Sequence, residues 1–441
     1  MTQTDQTKQK AIVLLSLNWY RRKDPRVPLG VAYVYSELAM APFANKDIEV
    51  NLVQADVREN LSNVLHEILK IDPFILGVSV YAWNVVQTKQ IINSLISLGF
   101  SGKIVLGGAE ITYGGDELNE EFPEVHYFVK GFGEKAFVGI VDALLRNKEP
   151  LIQGVYRHGD SIGELLAISE PAIENSPFTN QEIAKLIKGN SFVRWQTQRG
   201  CVFRCSFCAF KIPNGSVSQS GIETVKYELK NMRENSVSDV AVLDPVFFLN
   251  KNRAMSILDL IEQELPDAKF SLQTRFEHLD EDIISRISNL NIKLECGLQT
   301  LDDKVQRKIR RVNNRMKVEQ VISQLTLHKV EFETHLIYGL PEQTFSSFFN
   351  DVFSVFYMGC KKIRIFPLSL LRGTEVEIDF MNSQDLIFSP IFPKEVIKTK
   401  WIDIGTMLGI KRFQQRLEDK FSNMDEGDIA FLKALKGGRN C

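Results

Sequence analysis

From Ala11 the chain is apolar through Leu17, crosses a polar stretch, and resumes an apolar-periodic segment at Val31–Met40. That pattern predicts one strand followed by one helix. The alternation repeats, with strands expected at Ile48–Gln54, Ile75–Tyr81, Lys103–Leu106 and His126–Val129. Helices are expected at Leu61–Leu69, Val85–Leu98, near Glu117–Glu121 and at Glu134–Leu145. Short apolar strands separated by helices predict an α/β fold, a doubly wound parallel sheet covered on both faces. Such a sheet takes ligands beyond the carboxyl ends of its strands. Two of those ends carry glycines, Gly107-Gly108 and Gly131-Phe132-Gly133. Glycine there lets a ligand approach the backbone closely, although ordinary turn chemistry also calls for it.

Residues 149–190 mix Pro, Gly and Ser with short apolar pieces and predict a linker with a small hairpin around Ile152–Tyr156. A second alternation follows. Strands are expected at Phe192–Gln198, Val240–Leu243, Phe270–Gln273, Lys293–Cys296, Glu333–Tyr338 and Lys362–Phe366. The helices between them are expected at Glu223–Glu234, Ala254–Glu264, Glu281–Ser288, Val318–Leu327 and Phe345–Phe356. Six such units fit an open, partial barrel better than a closed eight-fold one, which takes about 250 residues. The tail predicts helices without further strand alternation. The expected domains are therefore 1–148, a linker at 149–190, a partial (β/α)6 barrel at 191–375 and a helical extension at 376–441.

The chain of 441 residues has 24% charged and 44% hydrophobic residues, enough apolar material for large cores and too much for disorder. Lys and Arg total 53 against 55 for Asp and Glu, so no net field favours nucleic acid or a membrane surface. The start is polar and no apolar run approaches the roughly 18 residues needed to span a bilayer, which reads as cytoplasmic. Six cysteines are too few for a disulfide scaffold, and three of them fall within eight residues. Cys296, Cys360 and Cys441 are scattered and read as small buried hydrophobes or a tail residue.

The clustered three are Cys201, Cys205 and Cys208, in Gln198-Arg-Gly-Cys-Val-Phe-Arg-Cys-Ser-Phe-Cys-Ala-Phe210. A structural zinc takes four protein ligands, so the three thiols would need Cys296 or a histidine from elsewhere to complete one. An iron–sulfur cluster is usually held by four cysteines, and three leave one iron open to a small molecule. The cluster follows the first barrel strand, on the face where barrel active sites lie.

These residues resemble the radical S-adenosylmethionine (SAM) enzymes, whose C-x3-C-x-aromatic-C motif Cys201, Cys205, Phe207 and Cys208 match. The resemblance implies a 4Fe-4S cluster on the three cysteines, with SAM chelating the fourth iron. It extends over Asp244-Pro245, Glu295-Cys-Gly-Leu-Gln299-Thr300, Arg310-Arg311 and Tyr338-Gly339-Leu340-Pro341. The first half, with Pro28-Leu29-Gly30, Gly107-Gly108-Ala-Glu110 and Gly131-Phe-Gly-Glu134, looks like the N-terminal cobalamin-binding domain of one branch. Two departures stand out. Where the family commonly reads Gly-Gly-Glu, this chain has Leu243-Asp244-Pro245, which leaves Asp244 as the candidate for the amino group. The cobalt-ligating Asp-x-His-x-x-Gly is absent, and the first strand leads into Asn18-Trp19-Tyr20.

The resemblance further implies Glu295 or Gln299 at the carboxylate or ribose, Arg310 or Arg311 at the carboxylate, Phe207 near the adenine and Gly339 in the turn near the ribose. Gly107, Gly108, Gly131 and Gly133 would edge the cobalamin, as would Trp19, Trp83 and Tyr113 unless these are ordinary half-buried aromatics. His335 reads as a satisfied core histidine. The function implied is reductive cleavage of SAM to a 5′-deoxyadenosyl radical, with methylation of an unactivated carbon or phosphinate-like centre in a small-molecule or peptide substrate. An external one-electron reductant of flavodoxin or ferredoxin type is the expected partner, and a nucleic-acid partner is disfavoured. The alternatives are radical chemistry without methyl transfer from cobalamin (rearrangement, ring contraction or cyclisation) and a zinc-binding protein without catalysis.

Overall fold

The computed structural model describes residues 9–20, 24, 27–44, 46–163, 172–180, 183, 187, 191–210 and 217–436. They fall into two compact units, one running to Val193 and including Glu234–Ser236, the other made of Arg194–Arg233 and the chain from Val237. Cys441 lies outside the described residues, as do parts of the expected linker and the end of the tail. Among the described residues no helix is long and apolar enough to cross a membrane.

The first unit is built on β1 (Lys10–Asn18), β2 (Ile48–Asp56), β3 (Ile75–Ser79), β4 (Lys103–Gly107), β5 (Tyr127–Val129) and β6 (Val155–Arg157). Their order is β2-β1-β3-β4-β5-β6, parallel except for β6, which pairs antiparallel with β5. The residues expected to form a small hairpin thus supply an edge strand of this sheet. Tyr156, on that edge, packs against the core, so burial of an aromatic favours docking over a free-standing hairpin.

Consecutive residues of a strand point to opposite faces, and the two faces have separate cores. Val13, Leu15 and Leu17 pack with Ile68 of α2 (Leu61–Ile71) and Ile92 of α3 (Val85–Ser97). Ile12 and Leu14 pack with Leu38 of α1 (Leu29–Ala39) and Ile140 of α6 (Gly133–Leu145). Two short helices, α4 (Ala109–Thr112) and α5 (Glu117–Glu121), follow β4. The strand order reverses between β1 and β3, and the carboxyl ends at such a switch point form the ligand-binding edge of open α/β sheets.

In the second unit, β7 (Phe192–Trp195) is followed by the two-stranded ladder β8 (Gln198–Arg199) and β9 (Ser218–Gln219). A six-stranded sheet then joins β7, β10 (Asp239–Val242), β11 (Lys269–Thr274), β12 (Ile292–Gln299), β13 (Glu331–Tyr338) and β14 (Ile363–Pro367) in chain order. The ladders from β10 to β14 are parallel, as an open partial barrel requires. The helices between the strands are α7 (Ile222–Glu234), α8 (Lys251–Glu264), α9 (Glu281–Ile287), α10 (Asp303–Lys308), α11 (Arg315–Leu327) and α12 (Phe345–Tyr357). The tail adds α13 (Glu375–Met381), α14 (Ile404–Asp419) and α15 (Glu426–Lys436). It is not helical throughout: β15 (Ile387–Phe388) and β16 (Val396–Lys398) pair antiparallel. The Val396 amide donates to the Leu368 carbonyl just past β14, so backbone pairing with the barrel edge outweighs helix formation here.

Asp351 on α12 is buried and accepts from Thr300 Oγ1 at 2.7 Å and the Leu301 amide at 2.8 Å, which ties α12 to the end of β12. Burial pushes its carboxyl up from 3.8 to about 7. A raised carboxyl contributes stability that is full below the ordinary value and lost as pH rises through the folded value. Wild type should therefore gain stability relative to Asp351→Asn as pH falls from about 7 towards 4, read from urea unfolding at several pH values. A difference independent of pH would contradict this.

Candidate active site at the barrel mouth

The thiol loop begins where the β8–β9 ladder ends and, apart from a single β-bridge at Cys201, has neither helix nor strand from Gly200 to Phe210. Its shape is set by bonds to other segments. The Ser206 amide donates to the Ile309 carbonyl at 3.0 Å, and the Val376 amide donates to the Ser206 carbonyl at 3.1 Å. Within the loop, the Cys208 amide donates to the Cys205 carbonyl at 3.2 Å. Cys205 is buried, and Cys201 and Cys208 are half-buried.

All three cysteines line one open cavity of about 750 Å³. Phe203, Phe207, Gln273, Arg275, Glu295, Gly297, Gln299, Arg311 and His335 share its wall. Burial pushes the Cys201 thiol up, and Cys208 up to about 11. Buried thiols of this kind become thiolates when a metal supplies positive charge beside them. The donor set fits a cluster that leaves one coordination position facing the cavity.

The barrel lumen below this cavity is polar. Along β12, Lys293, Glu295, Gly297 and Gln299 alternate with the buried Leu294, Cys296 and Leu298. Glu331 lies between Lys269 and Lys362, at 2.7 Å from each. One layer higher, Glu333 contacts Lys293 at 2.6 Å, His335 at 2.8 Å and Arg364 at 3.3 Å. Burial alone would raise Glu333, but the hydrogen bonds from His335 and Lys293 and the Lys293 charge hold it at about 2. Glu295, Glu333 and His335 bring their donor atoms within 4.8 Å of one another. With Glu333 already facing Lys293 and Arg364, an added cation there would meet competing positive charge. His335 is therefore both hydrogen-bonded, as the sequence pattern indicated, and on the cavity wall, which the pattern did not reveal.

The remaining candidates divide. Phe207, Glu295 and Gln299 reach the cavity, Gln299 with a positive φ of 72° at an irregularity in the β12–β13 register. Arg310 does not. It is turned outward and pairs with Glu375 at 2.8 Å, whereas Arg311 enters the cavity. Asp244 is buried away from the cavity wall. Its carboxylate accepts from the Thr197 amide at 2.8 Å, Thr197 Oγ1 at 2.5 Å and the Gln198 amide at 3.0 Å. This carboxylate anchors the segment leading into the thiol loop, because two backbone N–H groups there have no ladder partner to satisfy them. Gly339 also lies off the cavity wall, beneath Met407 and Val396 of the tail, with its amide on Gln343 Oε1 at 2.9 Å.

Sequence reasoning missed Arg275, Phe203 and Gly297. A Cβ at Gly297 would stand 2.8 Å from Gln299 Nε2 and 3.2 Å from Arg311 Nη2, so glycine makes room for the guanidinium. The overlooked signal was polar residues at every second position of strands expected to be buried on both faces.

In the first unit, Gly107 ends β4, Gly108 precedes α4, Gly131 lies between β5 and α6, and Gly133 opens α6. Gly108 has φ +98°, and a Cβ there would meet the Val80 carbonyl oxygen at 2.5 Å, so packing alone demands glycine. Trp83 stacks on Tyr81 with ring centroids 4.4 Å apart, and Asn84 donates to the carbonyls of Leu17 and Ser79 at 2.9 Å each, bridging the switch point. Trp19 is exposed beneath the Arg58 guanidinium. Lys130, which the sequence reading passed over, is buried just past β5 and donates to the Gly114 carbonyl at 2.7 Å.

Replacing Asp244 by Ala should orphan both amides and cost about 1–3 kcal/mol for each. Asp244→Asn keeps an acceptor and should stay near wild type, as chemical denaturation of the two variants would report. Equal losses in both would mean that charge, not hydrogen bonding, is what the site needs.

Comparison with known proteins agrees with this architecture. Residues 195–352 match the model of the radical SAM superfamily and residues 25–141 that of the B12 binding domain. An uncharacterized methyltransferase of Pyrococcus horikoshii is 25% identical over 270 residues, covering 58% of this chain and 57% of that protein. The 2-(S-pantetheinyl)-carbapenam-3-carboxylate methyltransferase of Streptantibioticus cattleyicolor is 24% identical, covering 82% of this chain and 53% of its own length. The cobalamin-dependent radical SAM methyltransferase TokK of Streptomyces tokunonensis is 23% identical, covering 82% and 55%. This chain thus spans about half the length of the curated relatives it matches. Among solved structures, the radical SAM methyltransferase TsrM of Kitasatospora setae superposes with TM-score 0.69 at 16% identity, covering 89% of this chain and 79% of that one. With a radical SAM match on the barrel and a B12-binding match on the doubly wound sheet, the chain carries a radical SAM domain preceded by a B12-binding domain.

Proposed function

We propose that this chain is a cobalamin-dependent radical SAM methyltransferase acting on a small-molecule or peptide substrate. The reading rests above all on the three thiols of Cys201, Cys205 and Cys208, gathered from one loop onto a cavity that also holds the Arg275 and Arg311 guanidiniums. When bound, the cluster supplies the electron that cleaves SAM and cobalamin supplies a transferable methyl group. The chain's own residues bind, orient and exclude water. Arg311 is suited to the SAM carboxylate, Glu295 and Gln299 to its ammonium or ribose, and Phe207 to the adenine face. Gly107, Gly108, Gly131 and Gly133 are assigned to the cobalamin edge of the first unit. Asp244 keeps the thiol loop in register rather than touching ligand. Arg310 and Gly339 carry no ligand role in this reading. The domains proposed remain a cobalamin-binding sheet, a radical SAM barrel and a C-terminal extension, with an external one-electron donor of flavodoxin or ferredoxin type.

Anaerobic reconstitution with iron, sulfide and hydroxocobalamin tests the reading directly. About four iron atoms per chain, retained cobalt, and S-adenosylhomocysteine formed beside 5′-deoxyadenosine under reduction are expected, with iron lost in Cys208→Ala. Iron and 5′-deoxyadenosine without cobalt would remove the methyltransferase assignment, and zinc without iron would overturn the whole reading.

A further inference from the structure

The cavity wall contains two buried arginines whose positive charges are held close to the thiol loop. Arg311 Nη1 lies 3.7 Å from Cys205 Sγ, and Nη2 donates to the Gly297 carbonyl. Its Nε is buried with no hydrogen-bond partner among the described residues. Arg275, at the end of β11, donates from Nη2 to the Val312 carbonyl at 2.7 Å and pairs with Glu277 at 3.4 Å. Its Cζ sits 4.3 Å from the ring centroid of Phe203, midway between Cys201 and Cys205. The His278 ring meets the same phenylalanine edge-on at 5.7 Å. Arg275 therefore grips the thiol loop through Phe203 and, through Val312, the backbone that carries Arg311.

Two guanidiniums buried together are costly, and Arg275 is lowered from its ordinary value by burial and by the Arg311 charge. Among the described residues, the one acidic partner in direct contact with Arg311 or Arg275 is Glu277, so the local balance stays positive. Positive charge and N–H···S bonds next to an iron–sulfur cluster favour its reduced, more negative state.

We infer that Arg275 and Arg311 form a cationic pair that raises the reduction potential of the cluster held by Cys201, Cys205 and Cys208. Arg311 acts directly on the Cys205 sulfur. Arg275 is a positioning residue that fixes both the Phe203 turn and the Arg311 backbone. The step concerned is the one-electron reduction of the cluster by the external donor. The inference rests on the proposed cluster and asks what this chain does to it.

The test is an EPR-monitored redox titration of the reconstituted full chain without SAM, so that any SAM-binding role of Arg311 stays silent. In Arg311→Met the ratio of reduced to oxidised cluster at a fixed potential should fall about tenfold, a shift of about 59 mV to more negative potential. Arg275→Met should move in the same direction by less, since Glu277 already offsets part of its charge. Arg311→Lys should fall between wild type and Arg311→Met, and it carries the test if Arg311→Met fails to load iron. Arg310→Met, next in sequence but turned outward, should match wild type. An Arg311 variant with full iron content and an unmoved potential would overturn the inference while leaving the cluster reading intact. Absence of iron in wild type would instead defeat the cluster reading, and the inference with it.

Discussion

Gathering three thiols side by side in one partly buried loop is the constraint around which the second unit is organised. Desolvation opposes the Cys201 and Cys208 thiolates, so the site calls for positive charge and a backbone that holds the sulfurs without further cost. The loop forms no helix or strand that would hold it. Its conformation is imposed by the Ser206 bonds to the Ile309 and Val376 backbones, by the Phe203 contacts and, upstream, by Asp244 on Thr197 and Gln198. Each anchor comes from a different part of the barrel, so the donor geometry belongs to the folded unit rather than to the motif.

The same unit departs from the usual filling of a parallel barrel, where branched aliphatic side chains pack in layers. Here the inward positions carry charges, and each carboxylate sits between cations from neighbouring strands: Glu331 between Lys269 and Lys362, Glu333 between Lys293 and Arg364. Carboxylates flanked by cations make a polar floor beneath the cavity wall that carries Glu295 and His335. The apolar packing has moved outward, to Leu294, Cys296 and Leu298 and the helices against them. Cys296 and Cys360 are buried there as neutral thiols, their ionisation disfavoured by burial, which suits packing rather than ligation.

The first unit solves a simpler problem. Its two cores come from strict alternation along β1, β3, β4 and β5, and the carboxyl edge is stitched by polar side chains rather than by the glycines that drew attention in the sequence. Asn84 bridges Leu17 and Ser79, the Gly131 amide donates to Thr112 Oγ1 at 3.1 Å, and Lys130 reaches the Gly114 carbonyl. Gly108 fits against Val80 because no side chain can, so its identity reports backbone packing before it reports any ligand.

Apolar periodicity by itself determined the two α/β units and nearly every strand and helix within them, because burial on one or both faces imposes a period that local sequence records. The spacing of Cys201, Cys205 and Cys208 likewise marked where the candidate site lies, since three soft donors within eight residues serve few purposes. Other features were not local. Whether Arg310 or Arg311 enters the cavity depends on the left-handed turn at Arg310 and on the space left at Gly297, and Arg275 matters only because β11 ends beside Phe203. Asp244 became an anchor because two amides across the sheet needed an acceptor, and the tail formed a ladder because the edge beyond β14 offered backbone partners. Tertiary structure decided these points because each depends on which groups the fold brings together from distant segments, and a periodic pattern contains no record of that pairing.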